Sequence, residues 1–332
     1  MNSLVQLRFR KARPVKELVV ISGKGGTGKT SLVASFAALR GNAVLADCDV
    51  DASNLHLVTA PRIVHSEPFT GGKRAFIDVN LCQACGQCEE LCRYDAIDSD
   101  PSCGASLVAS YRVDPLACEG CGVCAWFCPV QAIQMRPVVS GAWFVSETRF
   151  GPMVHARLGA AAENSGKLVS LVRARARQIA AERGIDLVLI DGSPGIGCPV
   201  IASITGADLA VIVTEPTPSG LHDMERVTEL TRHFGIPAAL CMNKWDLNAG
   251  MSRLIETKAR ERGVTLAGRI RYDQSVTEAQ VEGKAVVECG AGGGAEDIGE
   301  IWKGIRKILA GSDPDADQCR SQRALADVKT EG

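Results

Sequence analysis

Continuous apolar runs of four to six residues recur along this chain, each bounded by polar or glycine-rich stretches. A strand that is buried on both faces of a parallel sheet has this continuous pattern rather than an alternation. Helical patterns follow several runs, and they extend over residues 30–39, 165–183 and 298–309. This succession predicts a doubly wound, mostly parallel α/β sheet. The runs that we interpret as strands are residues 18–21, 43–46, 187–190, 209–214 and 238–242.

The first run ends in a loop with four glycines that matches the phosphate-loop template G-x-x-x-x-G-K-[ST]. Glycine lets backbone N–H groups close around phosphate oxygens, where a side chain would block the approach. Lys29 is expected to contact the β- and γ-phosphates, and Thr30 to bind Mg²⁺ through its hydroxyl. A glycine-rich turn without a ligand is the alternative, but the strand–loop–helix setting favours nucleotide binding. The predicted nucleotide-binding residues are Gly23, Lys24, Gly25, Gly26, Thr27, Gly28, Lys29, Thr30 and Ser31.

Acidic residues follow two of the predicted strands. Asp47 and Asp49 come after the run 43–46, and Asp191 comes after the run 187–190. Because the carboxyl ends of parallel strands meet at the crevice where ligands bind, we expect these carboxylates near the phosphate loop. Asp47, Asp49 and Asp51 could also be three acidic residues on a solvated turn, but the phosphate loop upstream disfavours that interpretation. The sequence therefore predicts an acidic site beside the phosphate loop.

Cysteines are numerous, with 14 in the chain, although disulfides are rare in the cytoplasm. Eight of them form two copies of the spacing C-x₂-C-x₂-C-x₃-C, and each copy has an aspartate before it and Ala-Ile after it. Zinc also binds four thiolates, but zinc sites usually separate two C-x₂-C pairs widely. Three cysteines at successive x₂ gaps favour an iron–sulfur cubane. The two sets are Cys82, Cys85, Cys88 and Cys92, and Cys118, Cys121, Cys124 and Cys128.

Charge and hydropathy disfavour two kinds of partner. The formal net charge is −1 and the isoelectric point is near 6.5, which gives no electrostatic case for nucleic acid or an anionic membrane. No apolar run approaches the roughly 18–20 residues of a membrane span. Residues 1–16 form a basic extension without the features of a secretory signal, and the tail 311–332 is expected to be disordered. We therefore predict a cytoplasmic protein with no nucleic-acid and no membrane partner. The basic run in the helix at 165–183 is interpreted as its solvated face and consists of Arg173, Arg175 and Arg177.

Lys24 makes the phosphate loop more specific. The sequence Lys-Gly-Gly-Thr-Gly-Lys-Thr resembles the deviant phosphate loop of the MinD/ParA ATPases and the nitrogenase iron protein. The resemblance implies a dimer in which ATP lies between the subunits and Lys24 reaches the nucleotide of the partner subunit. It also implies that Asp49 orients the attacking water and that Thr30, Asp47 and Asp191 hold Mg²⁺. The implied catalytic residues are Lys24, Lys29, Asp49 and Asp191.

The segment Asn243-Lys244-Trp245-Asp246 matches N-K-x-D, which indicates guanine recognition in regulatory GTPases. In the MinD-type ATPases, the asparagine at this place contacts adenine instead, so the motif alone leaves both bases open. The deviant phosphate loop favours ATP. The resemblance therefore implies ATP and Mg²⁺ as cofactors, with Asn243 on the base.

The duplicated cysteine segment resembles a bacterial ferredoxin with two [4Fe–4S] clusters, in which each fourth ligand comes from the other half. Arg93 departs from the pattern, which carries proline there, whereas the second copy keeps Pro129. Nearly the whole chain resembles the MinD-superfamily P-loop ATPases with an inserted α+β ferredoxin-like domain. The implied ranges are 17–70 and 139–310 for the ATPase domain and 71–138 for the insert. The implied ligands are Cys82, Cys85, Cys88 and Cys128 for cluster 1, and Cys118, Cys121, Cys124 and Cys92 for cluster 2.

Three functions are compatible with this resemblance. The first is a slow, partner-stimulated ATPase that couples its nucleotide state to electron transfer through the clusters. The second is an ATPase that assembles or delivers an iron–sulfur cluster or a metal cofactor, and the third is a non-enzymatic redox or positioning module. The intact catalytic residues argue against the third. The implied partners are a second identical subunit or a related ATPase, and a redox or metallocofactor client protein.

Cys198 is a candidate for one further ligand. It follows Asp191 by seven residues, the offset at which the nitrogenase iron protein places a cluster ligand. The resemblance implies a position towards the dimer axis, where a thiolate could meet its symmetry mate. The alternative is a small buried residue at the start of an apolar helix, because no second cysteine pairs with it.

Overall fold

The computed structural model describes residues 14–100, 110–159, 165–290 and 292–311. The chain divides into two compact units. The first unit contains the residues up to Ser66, Phe144–Ala156 and the residues from Ser165 onward, and the second contains Glu67–Trp143 and Arg157–Asn164. The predicted basic extension and tail lie outside the described residues except for positions 14–16 and 311.

Strands and helices alternate along most of the chain. The strands are β1 (Lys16–Ser22), β2 (Val44–Asp47), β3 (Arg62–Ile77), β4 (Ile97–Asp100), β5 (Ser110–Val113), β6 (Ile133–Thr148), β7 (Gly151–Leu158), β8 (Leu187–Pro194), β9 (Leu209–Thr214), β10 (Ala238–Asn243) and β11 (Thr265–Ile270). The helices are α1 (Lys29–Arg40), α2 (Leu55–Thr59), α3 (Gln87–Glu90), α4 (Val123–Phe127), α5 (Ser165–Arg183), α6 (Cys198–Ile204), α7 (Pro218–His233), α8 (Ala249–Glu261), α9 (Ser275–Val281) and α10 (Gly293–Gly311). No helix in the described ranges is long and apolar enough to cross a membrane.

A parallel sheet forms the centre of the first unit. Its strands follow the order β11-β10-β9-β1-β8-β2-β7, and the neighbouring strands in this series pair in parallel. The five strands predicted from apolar runs correspond to β1, β2, β8, β9 and β10. The α/β class with a large, mostly parallel sheet is therefore confirmed. Because the strands are parallel, β1, β2, β8, β9 and β10 all end at the same edge of the sheet.

Both faces of this sheet are buried, which explains the continuous apolar runs. Leu18 and Val20 of β1 belong to a core that also includes Phe36 of α1 and Trp302 of α10. The two rings are stacked with their centroids 5.0 Å apart. Val19 and Ile21, which alternate with Leu18 and Val20 along β1, are also fully buried. They face the opposite side of the sheet because side chains alternate along a strand.

The interpretation of Arg173 as part of a solvated helix face is wrong. Its side chain is buried, and its guanidinium forms an ion pair with the buried carboxylate of Glu17 in β1. The same guanidinium donates to the carbonyl oxygens of Ala202 and Thr205, at 2.7 and 2.9 Å. The carboxylate and the carbonyls pair with the two terminal nitrogens of the guanidinium, and no signal in the local helix sequence indicates such a distant partner. Arg177 is exposed as expected.

The second unit is small and contains the duplicated cysteine segment. β4 and β5 form an antiparallel pair in which Ile97 lies opposite Val113. The two short helices α3 and α4 each carry one cysteine of a repeat, and β3 and β6 each have residues in both units. The core consists of apolar residues with the cysteines packed against it. Its buried members are Ala75, Ile77, Ile97, Cys124 and Ile133.

Candidate functional site

The phosphate-loop residues, Gly23 to Thr30, connect β1 to α1 and continue into the helix. Gly28 occupies the N-cap of α1 with φ of 96°, a left-handed conformation that favours glycine. A Cβ at this position would lie 2.6 Å from the side-chain nitrogen of Asn243. Lys29, the first helical residue, is buried with 5% of its surface exposed. Glycine is therefore required at Gly28 both by the backbone conformation and by the close approach of β10.

Asp47 and Asp191 lie side by side in neighbouring strands, Asp47 at the end of β2 and Asp191 within β8. The register of β2 and β8 places them opposite each other, and both are fully buried. The Thr30 hydroxyl donates to Oδ2 of Asp191 over 2.7 Å, while Oδ1 of Asp191 has no hydrogen-bond partner among the described residues. The structure thus brings together the three predicted Mg²⁺ residues. An orphaned, buried carboxylate oxygen beside a second carboxylate and a hydroxyl fits a hydrated Mg²⁺, which prefers oxygen ligands.

Burial and mutual repulsion determine the electrostatics of this pair. Burial raises the pKa of Asp47 to about 8, and the negative charge of Asp191 adds to the increase. Burial also raises the pKa of Asp191 to about 6, against the hydrogen bond from Thr30 and the positive charge of Lys29. Two buried carboxylates in contact disfavour the doubly ionised state. A bound divalent cation would reverse this preference.

The loop that follows β2 is tied to Asp47. One carboxylate oxygen accepts from the Asp49 backbone N–H at 3.2 Å, and the other accepts from the Ser53 hydroxyl at 2.6 Å and the Leu55 N–H at 3.2 Å. Asp49 itself is partly exposed, and burial raises its pKa although the positive charge of Lys29 opposes the increase. Asp49 therefore lies close enough to Lys29 to feel its charge, at the edge of the site rather than inside it.

The N-K-x-D segment contacts the phosphate loop and Tyr272, two residues after the end of β11. The Asn243 amide nitrogen donates to the carbonyl oxygen of Thr27 at 2.8 Å, and its amide oxygen accepts from the Lys244 N–H at 3.0 Å. One carboxylate oxygen of Asp246 accepts from the Tyr272 backbone N–H at 2.7 Å. Asn243 thus supports the loop directly, and its predicted contact with a base stays a prediction.

Two residues of this site escaped the sequence analysis. Glu215 comes directly after β9 and forms ion pairs with Lys24 at 3.3 Å and with Lys244 at 2.6 Å. Its place at a strand end, like that of Asp47, is a signal that could have found it. Gln280 of α9 donates to the Ser31 hydroxyl at 2.6 Å, and nothing in its local sequence distinguishes it from other helical surface residues.

The eight paired cysteines line two separate cavities in the second unit. Three cysteines of one repeat and the last cysteine of the other line each cavity. Apolar residues such as Ile77 and Ile133 around the first, and Ala75 and Ile97 around the second, complete the walls. The cysteines are Cys82, Cys85, Cys88 and Cys128 at the first cavity, and Cys92, Cys118, Cys121 and Cys124 at the second.

Equivalent backbone contacts surround the two cavities. The N–H of Asp78 donates to the carbonyl of Ala132, and the N–H of Asp114 donates to the carbonyl of Ala96, each over 2.8 Å. Backbone N–H groups also donate to sulfur, from Ala96 to Cys92 at 3.4 Å and from Ala132 to Cys128 at 3.2 Å. Positive φ angles occur at equivalent places in both repeats. The pairs are Ala84 and Gly120, Gly86 and Gly122, and Asp95 and Gln131.

The cysteine thiols decide which kind of metal group fits each cavity. Among the described residues, no three Cys, His, Asp or Glu side chains converge in the arrangement that a single metal ion needs. Burial raises the pKa of Cys88 to about 11 and raises that of Cys124, so these thiols are neutral at pH 7 without a metal. Four thiols around a cavity, with N–H groups aimed at two sulfurs, fit the donor set of an iron–sulfur cluster.

Cys198 is the first residue of α6 and is exposed. The alternative that it is a small buried residue is therefore wrong for the single chain. The scattered cysteines Cys48 and Cys241 are buried, and Cys289 is partly exposed. Cys103 and Cys319 lie outside the described residues. The role of Cys198 as a ligand stays a prediction.

A phosphate loop between a parallel strand and a helix, with carboxylates at the adjacent strand ends, defines a P-loop nucleotide-binding protein of the α/β class. Residues 18–286 match the family model described as the CobQ/CobB/MinD/ParA nucleotide binding domain. Since this match covers most of the chain, the protein belongs to the family of the CobQ/CobB/MinD/ParA nucleotide binding domain.

Curated relatives and solved structures resemble the chain over most of its length. The uncharacterized protein MJ0578 of Methanocaldococcus jannaschii is 34% identical over 239 residues, which cover 70% of this chain and 80% of that protein. A second uncharacterized protein of the same organism, MJ0579, is 23% identical over 280 residues, 82% of this chain and 91% of its own. The septum site-determining protein MinD of Pyrococcus horikoshii, complexed with Mg-ADP, has a TM-score of 0.51 and 18% identity, with coverage of 90% of this chain and 99% of that chain. This structural likeness shows the fold alone.

Proposed function

We propose that this protein is a dimeric, Mg²⁺-dependent ATPase that couples its nucleotide state to electron transfer through two [4Fe–4S] clusters. The observation that carries the proposal is the sorting of eight cysteines into two cavities, each lined by three cysteines of one repeat and one of the other. A phosphate loop in the same chain supplies the nucleotide half. Electron carriers that need no energy input have no use for such a loop.

The nucleotide half rests on the contacts around the phosphate loop. Lys29 supplies a positive charge to the phosphates, and Asp49 would orient the attacking water. Thr30, Asp47 and Asp191 would hold Mg²⁺, which supplies charge neutralisation for the transferred phosphoryl group. The likeness to a MinD that was solved with Mg-ADP supports this assignment of the cation and the nucleotide.

Adenine is the base that we propose. Asp246 of the N-K-x-D segment accepts the Tyr272 N–H with one carboxylate oxygen, so part of this carboxylate serves a contact within the chain. Asn243 keeps one amide hydrogen free after its bond to Thr27, since its nitrogen carries two. That hydrogen can reach an acceptor on the base, as the resemblance to the MinD-type ATPases implies.

The cluster half favours cubanes over structural zinc. Zinc sites place four sulfurs about 2.3 Å from one atom, so the sulfurs converge on a point. The cysteines of this chain instead lie on the walls of two cavities, and no three of them in the described ranges converge on one metal position. When bound, the clusters would supply one-electron redox chemistry, and the cysteine loops, N–H donors and apolar walls would set their potentials.

Dimerisation is the means of coupling that we propose. Lys24 would cross the interface and contact the nucleotide of the partner subunit, so ATP would favour the paired state. Two relatives of this chain occur in one organism, which supports pairing with either an identical or a related chain. The redox or metallocofactor client would then respond to the paired state as a population shift.

Assembly or delivery of a cluster or metal cofactor is the second candidate function. The observation that favours it is the exposed Cys198 thiol, which lies outside both cavities and follows β8. An exposed thiolate on a nucleotide-binding unit could hold a cargo that leaves with the client. The resident clusters would in that case reduce the cargo rather than pass electrons to an enzyme.

One labelling experiment separates the two candidates. The chain is purified anaerobically with ⁵⁷Fe and is expected to hold about eight iron atoms. It is then incubated with Mg·ATP and a purified apo-ferredoxin, and the label in each protein is measured. Retained label and an ATP-dependent shift of the reduction potential support electron transfer, whereas ATP-dependent loss of label to the acceptor supports delivery. Zinc in place of iron would contradict both.

A further inference from the structure

A carboxylate holds Lys24 within its own subunit. The Glu215 side chain, which follows β9, is only 15% exposed, whereas that of Lys24 is 37% exposed. Oε2 of Glu215 lies 3.3 Å from the Lys24 ammonium nitrogen, and Oε1 lies 2.6 Å from that of Lys244. The two lysines come from different loops at the carboxyl edge of the sheet. Neither the phosphate-loop motif nor the N-K-x-D motif accounts for this shared carboxylate.

The two lysines keep this carboxylate charged. Burial alone would raise the pKa of Glu215, but the hydrogen bonds and charges of Lys244 and Lys24 outweigh burial and hold the pKa below its ordinary value. A charge that is largely removed from water needs at least one partner of opposite sign. Lys244 can meet that need alone, since its contact is the shorter one. Lys24 can therefore leave without stranding the carboxylate.

We propose that Glu215 is a positioning residue that retains Lys24 in its own subunit until the phosphates of the partner's nucleotide replace the carboxylate. The inference rests on the proposed function, in which Lys24 crosses the dimer interface. Lys24 is the lysine that moves because it has the longer contact, whereas the two lysine side chains are exposed to a similar extent. Glu215 thus opposes dimerisation, and Lys244 favours it by sharing the carboxylate.

Two substitutions are expected to act in opposite directions. Glu215→Gln releases Lys24 and should lower the nucleotide concentration for half-maximal dimerisation by about threefold, as expected for loss of one partly exposed ion pair. Lys244→Gln leaves Lys24 as the remaining cation at Glu215 and should raise that concentration by a similar factor. The double variant should behave like Glu215→Gln, because no carboxylate remains to retain Lys24.

Sedimentation of the full chain, prepared anaerobically with Mg²⁺ and a non-hydrolysable ATP analogue, measures these concentrations. Nucleotide affinity is measured separately at protein concentrations below the dimerisation range, so that an effect on nucleotide binding is distinguished from an effect on dimerisation. Glu288→Gln is the matched control. Glu288 is also a partly buried carboxylate in an ion pair, but its partner is Arg149 at 2.7 Å rather than a phosphate-loop lysine.

The outcomes separate this inference from the function on which it rests. If the wild-type chain dimerises with the analogue but the two single variants shift the midpoint in the same direction or not at all, Glu215 does not retain Lys24. Loss of dimerisation in Glu215→Gln would also overturn the inference, because the carboxylate would then be needed in the paired state. A wild-type chain that stays monomeric with every nucleotide would overturn the proposed function and this inference together.

Discussion

Asp47 and Asp191 show why some buried charges in this chain serve a ligand rather than stability. Each follows a run of apolar strand residues, and the register of β2 and β8 places the two buried carboxylates opposite each other. Such a pair costs free energy in the absence of a cation, since burial and repulsion both disfavour ionisation. Perturbed carboxyl pKa values beside a phosphate loop are therefore evidence for a metal site.

The stability of the metal-free chain should decrease as the pH rises. Folding raises the pKa of Asp47 from 3.8 to about 8, so between these values the folded state binds a proton that the unfolded state has released. Fewer protons on the unfolded state mean that the free energy of unfolding falls with pH across this window, and the stabilisation is complete below it. Asp47→Asn removes the titrating group. The fall in Tm across this pH window should therefore be several degrees smaller than in the wild-type chain.

Thermal unfolding in a metal chelator, from about pH 5 to about pH 8, measures this dependence. Asp51→Asn is the matched control, because Asp51 lies four positions away in the same loop and is exposed. Adding Mg²⁺ and ADP should reduce the slope for the wild-type chain, since the cation stabilises the ionised carboxylates. An unchanged slope in Asp47→Asn would show that Asp47 is already ionised in the metal-free fold.

Base selection is expected to follow from how Asp246 is used. Since Asp246 accepts a backbone N–H, Asp246→Asn can keep that bond through its amide oxygen and should leave ATP affinity within about threefold of wild type. A protein that recognised guanine through this aspartate would lose most of its affinity for GTP on the same substitution. Direct titration of the wild-type chain and of Asp246→Asn with ATP and with GTP checks this prediction. Tighter binding of GTP, abolished by Asp246→Asn, would contradict the adenine assignment.

The residues that the sequence revealed are those that belong to contiguous motifs. Lys29, Thr30 and Asp191 were found because a strand precedes each segment and the spacing of the loop is fixed. Gln280 was missed because its partner, Ser31, is far away in the chain, whereas Glu215 had only the signal of its place after β9. The burial of Arg173 was missed for the same reason, since Glu17 lies 156 positions earlier. Long-range electrostatic pairs leave no local signal.

At the scale of elements, the two cysteine repeats share a backbone but differ in surface. Exposed apolar side chains occupy one face of α4, where Val123, Trp126 and Phe127 are 40%, 85% and 53% exposed. The equivalent positions on α3 are Gln87, Glu90 and Leu91. The positive φ angles and the backbone contacts are the same in both repeats. The fold of the repeat therefore depends on the cysteine loops and not on what its helix presents outward.

The fourth cysteine of each repeat is expected to serve the opposite cavity. Cys128→Ser should remove the cluster of the first cavity and reduce the iron content by about half. Alkylation of this variant, which lacks the first cluster, should then modify Cys82, Cys85 and Cys88 but not Cys118, Cys121 and Cys124. Mass spectrometry identifies the modified cysteines. Cys92→Ser should give the reverse pattern.

Cys289→Ser is the control, because Cys289 lies outside both cavities and is partly exposed. It should keep the full iron content and protect all eight paired cysteines. Modification of Cys118, Cys121 and Cys124 in Cys128→Ser would mean that each repeat binds its own cluster, against the arrangement of the cavities.

Apolar runs predicted the strands that are buried on both faces, and they failed for β3 and β6. Each of these strands has 16 residues, and most of β3 is exposed. A strand without a consistently buried face has neither a continuous nor an alternating pattern, so hydropathy could not reveal it. Turn chemistry gave no help either, because Gly71 and Gly72 lie inside β3 rather than at its end. The extent of the insert was for that reason harder to predict than its cysteines.

At the scale of the whole molecule, the chain combines a unit with a phosphate loop and a unit with two cavities lined by cysteines. Elements with two arrangements arise where a ligand completes a site, and the carboxyl edge of the sheet is incomplete without Mg²⁺ and phosphate. The β2 loop that carries Asp49 precedes the second unit in the chain, and the β8 segment with Asp191 follows it. Nucleotide state is therefore expected to act on the loops at both chain connections to that unit.

The two lysines of the phosphate loop are expected to separate nucleotide binding from dimerisation. Lys29 is buried beside the Mg²⁺ residues, so Lys29→Ala should weaken ATP binding by about 10- to 100-fold, the size expected for a lost charge-assisted contact. Lys24 is partly exposed and paired with Glu215, so Lys24→Ala should bind ATP within about threefold of wild type but fail to dimerise and lose dimer-dependent hydrolysis. Lys16→Ala, on β1 away from the loop, is the control. Equal losses of ATP affinity in both loop variants would show that Lys24 acts on the nucleotide of its own subunit. That result would contradict the proposal that Lys24 contacts the nucleotide of the partner subunit in a dimeric ATPase.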